Sequence, residues 1–255
     1  MDTEFITDRF RDQVALVVGG AQGIGKAIAV RLASEGARVV IADKDAAMMK
    51  STAAEIAKKG CSIRTVVCDV RVSRQVDRMV EQVIRWHRKI DIFMYVAGVV
   101  RALPFVQTGE KDWDYILNVN LKGAFLSSRA VVPHMIKRKH GKLVFMSSTN
   151  AWDAEAELAS YNASKAGLYL LCKTLARELG QYGITSNAVA PGVIRTRMAE
   201  PILKDPRFMK KYEAVIPAGR LGLPQDVAGP ATFLASRDAD YVNGVLLFVD
   251  GGLLA

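Results

Sequence analysis

Cysteine and histidine are scarce in this chain of 255 residues, with three of each. The cysteines, Cys61, Cys68 and Cys172, are odd in number and are never spaced as Cys-x-x-Cys. This usage favours reduced thiols over a disulfide framework or a zinc site. The histidines are scattered and form no ligand-spaced cluster, so we expect no bound metal.

Long apolar runs are also missing. No uninterrupted apolar stretch reaches the roughly 18 residues of a membrane span. The N-terminal sequence MDTEFITDRFRDQ lacks the charged-then-apolar layout of a signal peptide. We therefore expect a cytoplasmic protein with no membrane partner. Apolar residues nevertheless make up 50% of the chain, which is ample for one sizeable core.

The net charge of the chain is +9. Such a charge is compatible with binding to nucleic acid or to a membrane surface. The densest basic run, residues 137–140, however closes a predicted helix before Gly141, where basic side chains suit the helix C-terminus. We interpret the charge as a solvated basic surface that attracts anionic substrates, and we expect no nucleic-acid partner.

Short apolar runs rich in β-branched residues alternate with helical patterns along the whole chain. The predicted strands span residues 13–18, 38–43, 62–67, 91–96, 141–147, 184–190 and 244–249. The main predicted helices span residues 26–36, 45–59, 73–88, 111–139, 159–182 and 224–236. This alternation predicts an α/β protein with a parallel sheet covered on both faces. Without repeats or linkers, residues 1–255 form one predicted domain, of which residues 1–12 are an N-terminal tail.

A glycine-rich turn, residues 19–25, joins the first predicted strand to the first helix. Glycine lets the backbone approach a pyrophosphate, and the helix N-terminus favours the negative charge. Because this turn follows a strand and opens a helix, it predicts a dinucleotide-binding site. The predicted contacts are Gly19, Gln22, Gly23, Ile24 and Gly25.

Asp43 ends the second predicted strand, 18 residues after Gly25. A carboxylate at this place accepts hydrogen bonds from the adenosine ribose and repels a 2′-phosphate, which predicts NAD as the cofactor and disfavours NADP. Lys44 follows directly and softens the repulsion. The alternative is that Asp43 or Asp45 only caps the next helix.

The stretch 143–165 carries the strongest chemical signal. Ser148 ends a predicted strand, and Tyr161 and Lys165 lie four residues apart at the start of a helix, so their side chains share a face. A nearby ammonium lowers the pKa of a phenol, which predicts a tyrosine that exchanges a proton near neutral pH. Tyr169 and Lys173 have the same spacing, but the apolar run LYLLC around Tyr169 predicts a core tyrosine.

The loop after Ser148 is polar and contains Asn150, Trp152, Asp153 and Glu155. Asn and Asp side chains suit a hydroxylated substrate, and Trp152 is placed to stack on a sugar face. These residues suit the capping of the following helix equally well.

Residues 193–221 interrupt the alternation between a strand and a helix. Three prolines punctuate this insertion, and a long segment beyond the carboxyl end of a strand predicts a substrate lid. Its apolar members either line a pocket or pack the insertion against the sheet. They are Met198, Ile202, Phe208, Met209 and Tyr212.

Six motifs in this chain resemble those of the short-chain dehydrogenase/reductase family in order and spacing. They are the glycine turn from Gly19, Asp69 in CDV, Asn120 in NVNLKG, Ser148, Tyr161-x-x-x-Lys165, and PGVIRT at 191–196. The resemblance covers about residues 11 to 252. It implies a Rossmann-type, doubly wound fold and hydride transfer between a nicotinamide cofactor and an alcohol/carbonyl pair. It also implies a homotetramer, or less often a dimer.

The resemblance implies roles for individual residues. Tyr161 is the general acid/base, and Lys165 lowers its pKa and binds the nicotinamide ribose. Ser148 holds the substrate oxygen, and Asn120 helps to position Lys165. Further implied cofactor contacts are Asp69, Val70, Ala97, Gly98, Pro191, Gly192, Val193, Ile194 and Thr196. The predicted substrate contacts are Ser148, Asn150, Trp152, Tyr161 and Met198.

The chain departs from the family pattern at two places. Val18 replaces the usual Thr before the first glycine, and Tyr95-Val96 replaces the usual Asn-Asn before Ala97. Both lie in scaffolding on the cofactor side, so they affect loop hydrogen bonding rather than the chemistry.

Three functional hypotheses follow. The leading one is an NAD-dependent dehydrogenase of a sugar, polyol or other secondary alcohol. The second is an NADPH-dependent 3-oxoacyl-thioester reductase that uses Arg101, Arg195 or Arg197 to bind an anionic carrier. The third is a dinucleotide-binding protein without catalytic activity.

Overall fold

The structure is a computed structural model that describes residues 8–58, 60–61, 63–204, 212 and 214–255, without the side chains of residues 201 and 202. Residues 1–7 of the predicted tail lie outside the described residues. So do residues 59 and 62, at the ends of a predicted helix and strand. Among the predicted lid residues, Phe208, Met209 and the side chain of Ile202 also lie outside them.

Seven parallel strands form one sheet at the centre of the fold. They are β1 (Val14–Val18), β2 (Arg38–Asp43), β3 (Ile63–Val67), β4 (Ile92–Tyr95), β5 (Gly141–Met146), β6 (Ile184–Pro191) and β7 (Leu246–Val249). Their order across the sheet is β3-β2-β1-β4-β5-β6-β7, and every neighbouring pair is parallel. This order confirms the predicted doubly wound α/β fold.

Helices cover both faces of the sheet. They are α1 (Gly23–Ser34), α2 (Ala46–Ala57), α3 (Ser73–His87), α4 (Glu110–Leu117), α5 (Gly123–Arg138), α6 (Ala159–Leu179), α7 (Glu200–Leu203) and α8 (Pro224–Leu234). Successive residues of β1 point to opposite faces: Leu16 packs with α3, α5 and α6, whereas Val17 packs with α1, α2 and α8. Two apolar cores therefore sandwich the sheet, which explains why its central strand β1 is a continuous apolar run.

A π-helical segment, Asn118–Lys122, separates α4 from α5. The hydroxyl of the fully buried Tyr95 donates a hydrogen bond of 2.6 Å to the carbonyl of Val119 within it. Gly123 follows directly, where a Cβ atom would clash with the Tyr95 hydroxyl. The predicted division of residues 111–139 into two helices is thus confirmed, and Tyr95 supports the backbone on which Asn120 lies.

The chain before β1 packs against the domain from residue 8 onward. Phe10 is fully buried, and Arg9 forms ion pairs with Glu35 and Asp238. The predicted tail therefore does not extend to residue 12. Among the described residues, no helix is long and apolar enough to cross a membrane.

The chain runs from β1 outward to β2 and β3, then crosses over to β4 on the other side of β1. The connections after β1 and β4 consequently diverge at the carboxyl edge of the sheet. In doubly wound sheets a crevice opens at such a point, and ligands bind there. The fold thus places the ends of β1, β4 and β5 around one crevice.

Candidate active site

A cavity of about 690 Å³ occupies this crevice. All the predicted cofactor positions line it, from the glycine turn through Asp43 and Asp69 to Thr196. Ser148, Asn150, Tyr161, Lys165 and Met198 line it as well. Residues spread over 180 positions of sequence are therefore brought to a single site.

The glycine turn forms one end of the cavity. Gly19 has a φ of 84° and packs against the backbone of Ala97, where a side chain would not fit. A Cβ atom on Gly25 would overlap the carbonyl of Gly19, so the turn and the first turn of α1 lie in contact. No side chain caps the N-terminus of α1. Its first N–H groups, which have no partner within the helix, are suited to bind a phosphate.

Asp43 lies at the carboxyl end of β2 and lines the cavity beside Lys44. Its carboxylate accepts hydrogen bonds from the backbone N–H groups of Ala21 (3.3 Å) and Asp45 (3.2 Å). The cap of α2 is instead Asp45, whose side chain accepts from Met48 N at 2.9 Å. The alternative capping role therefore belongs to Asp45, and the Asp43 carboxylate lies at the cavity wall.

Arg71 was missed by the sequence reasoning. It lines the cavity and forms an ion pair with Asp69, at 2.6 Å between Nη2 and Oδ2. The hydrogen bonds from Arg71 lower the pKa of Asp69. The only sequence signal for this pair was a basic side chain two residues after the predicted adenine contact.

Ser148, Tyr161 and Lys165 converge from two elements. Ser148 follows β5, and Tyr161 and Lys165 lie on the first turns of α6. Lys165 is buried, its Nζ donates to the carbonyl of Met146 at 2.7 Å, and it lies 5.5 Å from the ring centroid of Tyr161. A phenol, a hydroxyl and an ammonium therefore meet at the cavity wall, which is a suitable arrangement for moving a proton.

Burial dominates the electrostatics of this group. It lowers the pKa of Lys165 to about 8. Burial also raises the pKa of Tyr161, and the charge of Glu155 raises it further, while the hydrogen bond with Ser148 acts in the opposite direction. The pKa of Tyr161 therefore moves upward in this structure, opposite to the predicted direction, because desolvation of the phenolate is the largest influence on it.

Asn120 does not line the cavity. It is fully buried, and its side chain bonds both backbone groups of Val99 (2.8 and 3.0 Å) and the hydroxyl of Ser164 (2.9 Å). A Cβ atom placed on Gly98 would lie 3.5 Å from Lys165 Nζ and 3.6 Å from Asn120 Oδ1. Asn120 thus ties the segment after β4 to α6 immediately behind the buried lysine.

Trp152 also lies outside the cavity. Its side chain is 74% exposed and packs edge-on against Phe248, with 6.3 Å between the ring centroids. It follows the short 3₁₀ turn Thr149–Ala151, whereas Ser148, which precedes this turn, lines the cavity. The predicted stacking of Trp152 on a sugar is therefore not supported.

The polar loop and the insertion that the sequence singled out both reach the cavity wall. The loop after β5 contributes Asp153 and Glu155, and the insertion contributes Arg197 and Tyr212. The Tyr212 hydroxyl donates to Glu155 at 2.5 Å, which joins the insertion to this loop. Of the predicted lid residues, Met198 and Tyr212 thus line the pocket.

A family model described as enoyl-(acyl carrier protein) reductase matches residues 19–254. The chain is 42% identical to the (2S)-[(R)-hydroxy(phenyl)methyl]succinyl-CoA dehydrogenase subunit BbsD of Thauera aromatica, over 95% of this chain and 96% of the relative. It is 37% identical to the L-rhamnose-1-dehydrogenase of Scheffersomyces stipitis, over 97% of this chain and 98% of the relative.

Among solved structures, the chain is similar to a gluconate 5-dehydrogenase from Burkholderia cenocepacia J2315 in complex with NADP and tartrate. The TM-score is 0.92 and the identity 35%, over 96% of this chain and 97% of that chain. Likeness at this level covers the complete domain and includes the residues around the cavity. Sequence, fold and relatives agree that this chain belongs to the short-chain dehydrogenase/reductase family and is an oxidoreductase that acts on an alcohol or carbonyl group.

Proposed function

We propose that this protein oxidises a secondary hydroxyl group of a sugar, polyol or related polyhydroxylated compound with NAD, and catalyses the reverse reduction. The observation that carries the proposal is the shared cavity, in which Ser148, Tyr161 and Lys165 lie beside the glycine turn and Asp43. Asn150 supplies a further polar group next to Ser148. The relatives that act on L-rhamnose and gluconate support a polyhydroxylated substrate.

In the proposed mechanism Tyr161 is the general base. Its phenolate removes the proton of the substrate hydroxyl, and Ser148 holds the same oxygen. A bound nicotinamide dinucleotide supplies the acceptor of the hydride. Lys165 binds its ribose, and Asn120 positions Lys165 from behind Gly98.

The remaining cavity residues hold the cofactor in this proposal. The glycine turn and α1 bind the pyrophosphate, and Asp69 and Val70 flank the adenine. The backbone at Val193 and Ile194 holds the carboxamide. The further cofactor contacts are Ala97, Gly98, Pro191, Gly192 and Thr196.

We propose NAD rather than NADP as the preferred cofactor. The Asp43 carboxylate at the cavity wall accepts ribose hydroxyls and repels a 2′-phosphate. Lys44 lies beside it and weakens this repulsion, and the Burkholderia cenocepacia relative was crystallised with NADP. The expected preference for NAD is therefore moderate rather than absolute.

A second candidate is the oxidation of a 3-hydroxyacyl thioester or the reduction of the 3-oxo form. The Thauera aromatica relative acts on a CoA thioester, and Arg197 places a cation on the cavity wall where an anionic carrier enters. This candidate requires that the anionic carrier group of the thioester increase the affinity for the substrate. The sugar candidate requires no such anion.

One assay separates the two candidates. Absorbance of the reduced nicotinamide is followed with NAD and separately with NADP, using L-rhamnose, gluconate and 3-hydroxybutyryl-CoA. Turnover of a sugar compound with NAD supports the proposal. Turnover restricted to the thioester supports the second candidate instead. In that case Arg197→Ala raises KM for the thioester and leaves kcat unchanged.

We also propose that the protein is a cytoplasmic homotetramer. Phe125 on α5 and Leu170 on α6 are 46% and 61% exposed, which is costly for large apolar side chains in an isolated chain. The buried Cys68 and Cys172 are free thiols, as expected in a reducing compartment. Multi-angle light scattering of the wild type and of a Phe125→Glu, Leu170→Glu variant tests the assembly.

A further inference from the structure

A chain of side-chain hydrogen bonds leads from Ser148 away from the cavity. The Ser148 hydroxyl bonds Asn150 Oδ1 at 3.1 Å, and Asn150 Nδ2 donates to Asn162 Oδ1 at 3.0 Å. Asn162 Nδ2 then donates to the carbonyl of Glu155 at 2.8 Å. Asn150 lines the cavity, whereas Asn162 lies outside its wall on α6.

The Glu155 carbonyl fixes the direction of every bond in this chain. A carbonyl oxygen only accepts, so Asn162 presents its nitrogen to Glu155 and its oxygen to Asn150. Asn150 in turn presents its nitrogen to Asn162 and its oxygen to Ser148. Because that oxygen also only accepts, the single hydroxyl proton of Ser148 is donated to Asn150.

This direction matters for the reaction. The substrate oxygen gains negative charge in the transition state, and a hydroxyl stabilises it only by donating a proton to it. While Ser148 donates to Asn150, its one proton is engaged there and is not available to the substrate oxygen; Ser148 is also hydrogen-bonded to Tyr161. The backbone N–H of Asn150 also donates to Ser148 Oγ, at 3.2 Å, which holds the hydroxyl in place.

We propose that Asn150, positioned by Asn162, makes the enzyme selective for substrates that carry a second hydroxyl on the carbon next to the reacting one. The second hydroxyl donates to Asn150 Oδ1 and replaces Ser148 there. The Ser148 proton then turns to the reacting oxygen. The inference rests on the proposed role of Ser148 in the proposed function, and it names vicinal diols and their α-hydroxyketones as the substrate class.

Asn162 has no contact with the substrate in this scheme and is a positioning residue. Without its amide, Asn150 loses the partner that fixes its orientation and is free to turn its nitrogen toward Ser148. The Ser148 proton is then available to any alcohol. Selectivity falls, even though every group on the cavity wall is still present.

The test compares butane-2,3-diol with butan-2-ol, using NAD and measuring kcat/KM for each. We expect the wild type to favour the diol roughly tenfold, which is the size of effect expected from one additional hydrogen bond to an oxygen that gains charge. In Asn162→Ala and in Asn150→Ala the preference falls to about threefold or less. It falls because butan-2-ol reacts faster and the diol more slowly.

Gln181→Ala is the matched control, since its side-chain amide also donates to a backbone carbonyl, that of Glu178, at 3.0 Å. This variant keeps the wild-type preference. Circular dichroism and thermal unfolding of each variant establish that it is folded. A purely structural role of Asn162 lowers both rates together and leaves their ratio unchanged.

The inference is overturned if the wild type oxidises the diol no faster than butan-2-ol, absence of turnover included, or if both asparagine variants keep the preference. Oxidation of L-rhamnose or gluconate in the same assay leaves the proposed function standing in that case. Failure of the proposed function is recognised separately, because the wild type then reduces NAD with none of the alcohols.

Discussion

Lys165 Nζ lies 5.5 Å from the ring centroid of Tyr161. Further along α6, Lys173 Nζ lies the same 5.5 Å from the ring centroid of Tyr169. Both pairs have the same spacing and the same contact, so helix geometry alone does not distinguish them. The difference is their surroundings: Tyr161 and Lys165 line the cavity, whereas Tyr169 packs against the core beneath the sheet.

Tyr161→Phe is expected to lose at least roughly a hundredfold in kcat, because general acid–base groups contribute about a hundred- to ten-thousandfold. Tyr169→Phe, which removes the hydroxyl of the second Tyr-x-x-x-Lys pair, is the matched control and keeps nearly full activity. The measurement is steady-state NADH formation. Equal activity of the two variants would contradict the proposed role and restore the hypothesis of a binding protein without catalysis.

Asp43→Asn is expected to shift the ratio of kcat/KM for NADP over NAD upward roughly tenfold, because one negative charge next to the 2′-phosphate is removed. Asp45→Asn removes the neighbouring charge, keeps a side-chain oxygen for the cap of α2, and leaves the ratio close to the wild-type value. Initial rates with both cofactors supply the measurement. A ratio that changes equally in both variants speaks against a direct contact of Asp43.

Lys165→Met is expected to be more stable than the wild type near neutral pH, because burial penalises the charged lysine. The folded pKa of about 8 lies below the ordinary 10.5, so between these values the unfolded chain binds more protons. Wild-type stability therefore rises with pH across this window, by on the order of 3 kcal/mol. The difference in free energy of unfolding between Lys165→Met and the wild type therefore becomes smaller as the pH rises through this window.

Urea unfolding of both proteins across this pH window measures the difference. Lys173→Met controls for the loss of a lysine stem from the same helix. An advantage of Lys165→Met that stays constant from neutral pH to above the window would show that Lys165 does not carry the shifted pKa.

Tyr95→Phe is expected to destabilise the protein by about 1–3 kcal/mol, because the buried carbonyl of Val119 loses its donor. Since Asn120 lies in the same π-helical segment, kcat should fall while the dissociation constant for NAD changes little. Urea unfolding and NADH formation are measured together. Tyr115→Phe is the control: its hydroxyl removal should affect neither quantity, and a similar loss there would remove the special role of Tyr95.

The fold was predictable because its central strands are buried on both faces. Val14–Val18 and Gly141–Met146 are buried at every position, and apart from Lys142 they contain no charged or polar side chain, so they stand out between helical patterns. The glycine turn was equally evident, since close backbone contacts at Gly19 and Gly25 exclude side chains. The π-helical segment was not predicted, because its support comes from Tyr95, which is distant in sequence.

The candidate site was predictable in its members and not in its energetics. The order of motifs named most of the residues that line the cavity, but Arg71 escaped notice because its partner Asp69 defines its place only in three dimensions. Tyr212 was named as a lid residue, but its bond to Glu155 was not predicted. Trp152 was misplaced for a similar reason. Its contact with Phe248 brings together residues nearly a hundred positions apart.

The sequence by itself determined the order of strands and helices along the chain, the glycine turn after β1, and the shared helix face of Tyr161 and Lys165. All three follow from local periodicity and from the conformational freedom of glycine. Only the tertiary structure decided that Asn120 and Trp152 lie outside the cavity and which way the pKa of Tyr161 moves. Burial and the direction of hydrogen bonds arise from packing between distant segments, and no local pattern encodes them.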